Sequence, residues 1–193
     1  MRYALIAAAA IAFALPASAA TKWTPDYSKS RLQFEGKYGQ NTVTGTFGKF
    51  AADIQFDAAD LATSKVSVTV DIKSVATKVT PDAHFEKPTD GALPGAGWFN
   101  AAQFGTATFV STSIVSTGGN KYEAKGKLTL RGVSKDITLP FTVTVTGNTA
   151  VAEGDMLMLN RMDFGIKGDA PQYMLPKPVP HEVKVQFSVT ATK

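Results

Sequence analysis

The sequence predicts an all-β fold, an up-and-down antiparallel β-barrel of about eight strands with a long, partly helical loop capping one end. Three observations carry this. Over residues 126–140, Leu128 and Leu130 alternate with Lys127, Thr129 and Arg131. After Gly132-Val133-Ser134 the alternation resumes with Ile137, Leu139, Phe141, Val143 and Val145, so a tight turn joins two strands that are apolar on one face. Segments of the same period recur along the chain, mostly in hairpin succession, and a one-sided sheet must wrap its apolar face around an interior. Closure also removes the exposed edges that so many β-branched strands would otherwise present.

In chain order, Arg2, an apolar run over residues 4–15, Pro16 and the small residues Ala17-Ser18-Ala19-Ala20 follow the layout of a secretory signal. The apolar run is too short to span a bilayer comfortably. Cleavage is expected after Ala19 or Ala20, which makes residues 1–19 a signal peptide and residues 20–193 the domain. The mature chain is then exported, with a periplasmic location expected. Residues 23–27 read as a short entry segment, and residues 30–38 as a first strand with Leu32 and Phe34 on one face. Residues 42–47 and 50–56 form one long strand or two, bent near Gly45 and Gly48, because glycine inside a strand pattern marks a bulge or bend. Residues 65–73 alternate cleanly, with Val66, Val68, Val70 and Ile72 inward. The strand signal then lapses from Ser74 to about Gln103, too long for a hairpin connection, and a short helical turn is expected at residues 95–102. The remaining strands are residues 106–115, 121–131, 136–146, 149–159 and 182–192, the last with Val183, Val185, Phe187 and Val189 inward. Between the last two, residues 167–180 carry four prolines and read as an extended lid bearing Tyr173, Met174 and Leu175.

The 193 residues, 44% hydrophobic and 19% charged, suit one globular domain. There is no cysteine, which rules out disulfides, thiolate catalysis and a lipidated cysteine tether. The net charge of +4 falls to +3 once Arg2 leaves with the signal, and no basic run suggests nucleic acid as a partner. Lys121, Lys125, Lys127 and Arg131 share strand parity and form an outward basic stripe, either simply solvated or able to make transient contact with an anionic membrane surface. Arg131, at a turn, is expected to be solvated.

The chemistry-bearing inventory is thin. Ser74, His84 and Asp82 form a triad only on paper, no nucleophile-elbow pattern surrounds a serine, and the chain is read as a non-enzyme with no catalytic residue. His84 and His181 with Asp82 or Asp90 are too few for a metal centre, and no metal is assigned. Asn160, Arg161 and Asp163 read as turn residues, the two short side chains capping backbone and the arginine pairing with a carboxylate. A barrel of about eight strands is either filled by side chains or holds one small ligand. The inward set here is mainly Val, Ile, Leu and Phe without a run of large aromatics, which favours a ligand. Strand parity selects Phe34, Phe47, Ile54, Phe56, Val68, Val70, Phe109, Leu128, Leu130, Leu139, Phe141, Val185 and Phe187 as the lining. Trp98, Phe99, Tyr173, Met174 and Leu175 are the candidates for the mouth.

Four motifs in order carry a family resemblance. They are Val43-Thr-Gly-Thr-Phe-Gly-Lys-Phe50 with Ile54-Gln-Phe-Asp57, Asp82-Ala-His84 with residues 90–99, Gly126-Lys-Leu-Thr-Leu-Arg-Gly-Val-Ser-Lys135 with Leu139, and Asn160-Arg-Met-Asp-Phe-Gly165. Together they resemble the YceI-like family, exported lipocalin-like barrels that bind polyisoprenoid lipids or related long-chain amphiphiles, and the likeness covers most of the mature chain. The family often places Arg before the loop Asp and acidic residues around the Trp-Phe pair, where this chain has Pro81, Gly97 and Asn100. The resemblance implies a periplasmic carrier for a long-chain isoprenoid, a quinone or polyprenyl lipid, with no other cofactor. A fatty acid or amide binder is one alternative; a non-binding stress-response module that meets a membrane cytochrome or other redox partner is another. The oligomeric state, a homodimer included, is left open.

Overall fold

The structure, a computed structural model, describes residues 20–38, 41–80, 92–168 and 179–193. The predicted signal at residues 1–19 lies outside them. Among the described residues ten strands follow one another: β1 (Lys22–Tyr38), β2 (Asn41–Phe47), β3 (Phe50–Gln55), β4 (Lys65–Asp71), β5 (Val75–Thr80), β6 (Thr106–Gly118), β7 (Lys121–Leu130), β8 (Val133–Thr146), β9 (Thr149–Asn160) and β10 (Glu182–Thr192). Every pairing is antiparallel, in the order β10-β9-β8-β7-β6-β4-β3-β1-β2-β5, and β10 pairs back onto β1 to close the barrel. β2 with β3, and β4 with β5, are each one strand bent in the middle, so the ten segments make a barrel of eight staves.

The two bends are fastened to each other. Gly48 N donates to Ser74 O at 3.1 Å, Lys49 N to Ser74 Oγ at 3.0 Å and Asp71 N to Lys49 O at 3.0 Å. A 3₁₀ turn, Ile72–Ser74, carries the second bend, with the Asp71 carboxylate accepting from Lys73 N. The predicted hairpin turn is present. Leu130 pairs with Val133, and Arg131 (φ 52) and Gly132 (φ 74) both have positive φ, the type I′ geometry whose twist suits a two-residue connection.

Three expectations need correction. Residues 74–103 are not free of strand, because β5 occupies Val75–Thr80 and pairs with β2. The cap is not helical at residues 95–102. Trp98 N and Asn100 N both donate to Gly95 O, Ala101 N to Pro94 O and Phe104 N to Asn100 O, giving a chain of turns in which Asn100 sits at φ 51. Pro94, Gly95 and Gly97 are poor helix formers, and a left-handed residue ends any helix that reaches it. Finally, Trp23 is no loose entry segment. It lies in β1, 5% exposed, with its indole N–H donating to Phe56 O at 2.9 Å.

The core divides along the barrel axis. At one end Trp23, Phe56, Ile114, Tyr122, Val143 and Ala191 pack together, with Phe56, Tyr122 and Phe141 in ring contact at 5.1–6.4 Å. At the other, Val70, Ile72, Val75, Leu93, Phe99, Phe164 and Ile166 pack beneath the cap, with Phe34, Phe47 and Phe99 in ring contact at 5.8–6.0 Å. Val68 and Leu128 touch both groups and mark the middle.

Candidate functional site

Between the two aromatic groups the barrel is open. A cavity of about 300 Å³ is walled by residues from every stave and from the cap. Its wall includes Phe34, Phe47, Ile54, Phe56, Val68, Val70, Phe109, Leu128, Leu130, Leu139, Phe141, Val185 and Phe187, so strand parity brought these side chains to one lumen. Trp98 and Phe99, assigned to the mouth, also line it from the cap. Tyr173, Met174 and Leu175 lie outside the described residues.

What keeps the interior empty is a set of small residues that a search for large apolar side chains passes over. Gly45 is paired with Phe34, and Gly154 with Phe187, directly across the sheet; Gly126 lies beneath Phe109. A Cβ at Gly45 or Gly154 would overlap the facing ring, and one at Gly126 would come within 2.8 Å of the Phe109 ring. The rings therefore lie back against the wall over backbone instead of projecting into the lumen, a use of glycine under aromatic side chains seen in curved sheets. Ala52, Ala107, Ala124, Ala150, Ala152 and Ala191 supply further low wall.

Besides the indoles of Trp98 and of Trp23, whose N–H bonds Phe56 O, two described wall residues have polar side chains, and both turn their polar groups elsewhere. Gln33 donates to Gln186 Oε1 at 2.8 Å. Arg161 is 5% exposed, and among the described residues its guanidinium meets no carboxylate, the partner the turn reading expected, but backbone carbonyls. Nε donates to Pro180 O at 3.0 Å, Nη2 to Val179 O at 3.0 Å, and Nη1 to Ile166 O and weakly to Met162 Sδ. Its carbon Cζ lies 5.9 Å from the Trp98 ring centre. Backbone carbonyls and an aromatic face replace the water that this charge lost, and burial pulls its pKa below the ordinary arginine value. Asn160 fills the predicted capping role, its side chain accepting from Met162 N.

Arg131 also departs from expectation. It is half-buried and bonded to backbone: Nη1 donates to Gly165 O at 2.6 Å and Nη2 to Ala96 O at 2.7 Å, so the tip of the β7–β8 hairpin clasps both the cap and the turn after β9. Lys121, Lys125 and Lys127 remain exposed on the outer face, with Lys127 paired to Asp136 at 2.8 Å. Of the paper triad, Ser74 spends its hydroxyl on Asp71 O at 2.6 Å and on Lys49 N, while His84 and Asp82, like Asp90, lie outside the described residues. His181 is exposed and contributes its carbonyl to Arg161 N at 2.8 Å.

A YceI-like domain matches residues 23–191. A UPF0312 protein of Vibrio parahaemolyticus is 34% identical over 143 residues, 72% of this chain and 72% of its own length. Another, from Ectopseudomonas mendocina, is 41% identical over 101 residues, 52% of this chain and 49% of its own, so that match takes in about half of the relative. Among solved structures, Burkholderia cenocepacia BcnA matches with a TM-score of 0.73 at 31% identity, covering 87% of this chain and 99% of that one. A Campylobacter jejuni YCEI protein matches with a TM-score of 0.62 at 24% identity over 77% of this chain and 84% of its own, a likeness of fold alone. Since the matched residues run from Trp23 in β1 to Ala191 in β10 and take in the whole closed barrel, the chain belongs to the YceI-like family.

Proposed function

We propose that the protein is an exported periplasmic carrier that sequesters the tail of one long-chain isoprenoid, of quinone or polyprenyl type, in the barrel lumen and performs no chemistry on it. The observation that supports this is a cavity of about 300 Å³ whose wall turns no polar group inward. Such a wall stabilises an apolar chain by roughly 0.8 kcal/mol per buried methylene and would strip a polar headgroup of water with nothing in return. The tail therefore enters and the headgroup stays outside. The volume lies at the small end of the usual range for ligand sites, so only part of an octaprenyl-sized tail is buried. A wall that reads only apolarity also accepts an acyl chain, which makes a fatty acid or amide the second ligand class. An open lumen favours carriage over a non-binding module engaging a membrane redox partner, a role that needs no cavity.

Native mass spectrometry of protein recovered from its own periplasm, followed by solvent extraction, tests the reading. A stoichiometric prenyl or acyl lipid is expected. A clean apo mass, in protein that also fails to take up added quinone or fatty acid, would overturn it.

A further inference from the structure

Among the described residues the barrel wall parts in two places: β8 and β9 pair only as far as Thr142 and Glu153, and β1 leaves a seam against the β2–β3 bend. β1 pairs with β3 only at Lys22 and Trp23, and with β2 only from Gln33 onward. Between these points residues 24–32 of β1 have no ladder partner in residues 47–53, because β1 bulges between Asp26 and Arg31 just where the facing strand is broken at Gly48 and Lys49. That break bonds the other way, to Ser74 and Asp71. The seam is spanned by a side chain. The Tyr27 hydroxyl accepts from Ala52 N at 3.1 Å and its ring meets Phe50 edge-on at 5.5 Å, although Tyr27 is 48% exposed.

Outside the seam lies a cleft of about 380 Å³, and two of its walls, Phe47 and Phe50, are also walls of the lumen. These two rings, with Tyr27 beside them on the cleft side, stand between the cleft and the cavity. Arg31 and Lys49 stand exposed on its rim with no ion-pair partner among the described residues. We infer that this seam is a side entrance to the lumen, latched by Tyr27, and that it admits the tail of a single-chain amphiphile whose anionic headgroup, carboxylate or phosphate, rests between Arg31 and Lys49. The inference rests on the carrier reading and narrows it to ligands with a negative head.

The chain has no cysteine, so Val68→Cys places a single thiol on the lumen wall, and its reaction with N-ethylmaleimide reports access independently of any lipid. Adding Tyr27→Ala should speed labelling about tenfold, with Tyr27→Phe, which keeps the ring contact and loses the hydrogen bond, in between. Without the thiol, Tyr27→Ala should speed both uptake and release of a dansylated fatty acid and leave its equilibrium affinity within about twofold. Unchanged labelling in folded Tyr27→Ala sinks the entrance while leaving the carrier reading intact; faster labelling, with a wild-type protein that takes up neither fatty acid nor a quinone or polyprenyl lipid, sinks the carrier reading and leaves the opening. For the rim, Arg31→Gln with Lys49→Gln should weaken dodecanoate and dodecyl phosphate about fivefold and leave dodecanol unchanged. Equal effects on all three, or none, overturn the headgroup assignment, and an effect on one anion alone identifies which head the rim prefers.

Discussion

Gly45 and Gly126 both let a phenylalanine lie against the wall, yet replacing them should have different consequences. At Gly126 a methyl would strike Val110 O, a backbone atom held in the β6–β7 ladder, as well as Phe109. Backbone cannot swing aside, so Gly126→Ala is expected to lower the unfolding free energy by about 1–3 kcal/mol in urea titration. At Gly45 the obstacle is the far edge of the Phe34 ring, which can rotate about its own side-chain bonds into the lumen. Gly45→Ala should therefore cost less than about 1 kcal/mol, and a reduced conformational freedom of the unfolded chain offsets part of that. Its larger effect is on capacity, since the displaced ring occupies space the ligand needs, and lipid affinity should fall although the protein stays folded. Equal stability losses in the two variants would show that the Phe34 ring cannot turn aside into the lumen. Arg161 illustrates the opposite economy at one residue, a buried charge kept at the lumen wall because three carbonyls from Ile166, Val179 and Pro180 converge on it. Lysine lacks the planar fork to serve all three, so the position is specific to arginine as well as to charge.

The β1 bulge is an element held by its own first residue. Asp26 accepts from Ser28 N and Ser28 Oγ, pairs with Lys29 at 3.1 Å, and its main-chain oxygen accepts from Ser30 Oγ. The Ser28 hydroxyl foremost, then Lys29, hold its carboxyl below the ordinary value of 3.8. A carboxyl lowered in the folded state contributes stability above its unfolded pKa and loses it as pH falls through the folded one. The bulge should thus loosen below 3.8, seen as lower amide protection factors around Tyr27, exchange rates taken relative to the intrinsic rate at each pH. Asp26→Asn keeps an oxygen acceptor and should flatten that response; an identical acid profile in the variant would dissociate the bulge from this carboxyl. Much at this scale was legible in the sequence, because period-two alternation fixes which face is inward; the ends of β2, β6, β8 and β9 had to be extended slightly and β1 by residues 22–29, where the bulge interrupts the period. β5 escaped since Val75-Ala-Thr-Lys-Val-Thr80 carries two large apolar residues and follows a bend that breaks the pattern of β4. The roles of Arg131 and Arg161 escaped for another reason: their partners are backbone carbonyls up to 35 residues away in sequence, and a carbonyl leaves no trace in residue identity. Trp23 and the lumen alanines were missed because a single large residue or a small one shows no periodicity of its own.

For the whole molecule, lumen size sets a limit on affinity that can be read from a ligand series. A cavity of about 300 Å³, at roughly 30 Å³ for each water-sized group, accommodates on the order of ten chain carbons. At roughly 0.8 kcal/mol per methylene the gross gain is about 8 kcal/mol, which corresponds to a Kd near 1 μM before the cost of ordering the chain. Affinity should therefore climb about fourfold per carbon through the short members of a fatty-acid or prenol series and level off near ten carbons, where further methylenes remain in water. Leu128, which touches both aromatic groups, is the place to interrupt that series. Leu128→Trp fills the middle of the lumen and should move the plateau to shorter chains, with at least a tenfold loss of affinity for the longer ones, about 1.4 kcal/mol, in a barrel that remains folded by circular dichroism. If affinity instead keeps rising well past ten carbons in the wild-type protein and ignores Leu128→Trp, the chain is being covered somewhere other than the barrel interior. The small residues that hold the lumen open would then serve the curvature of the sheet alone.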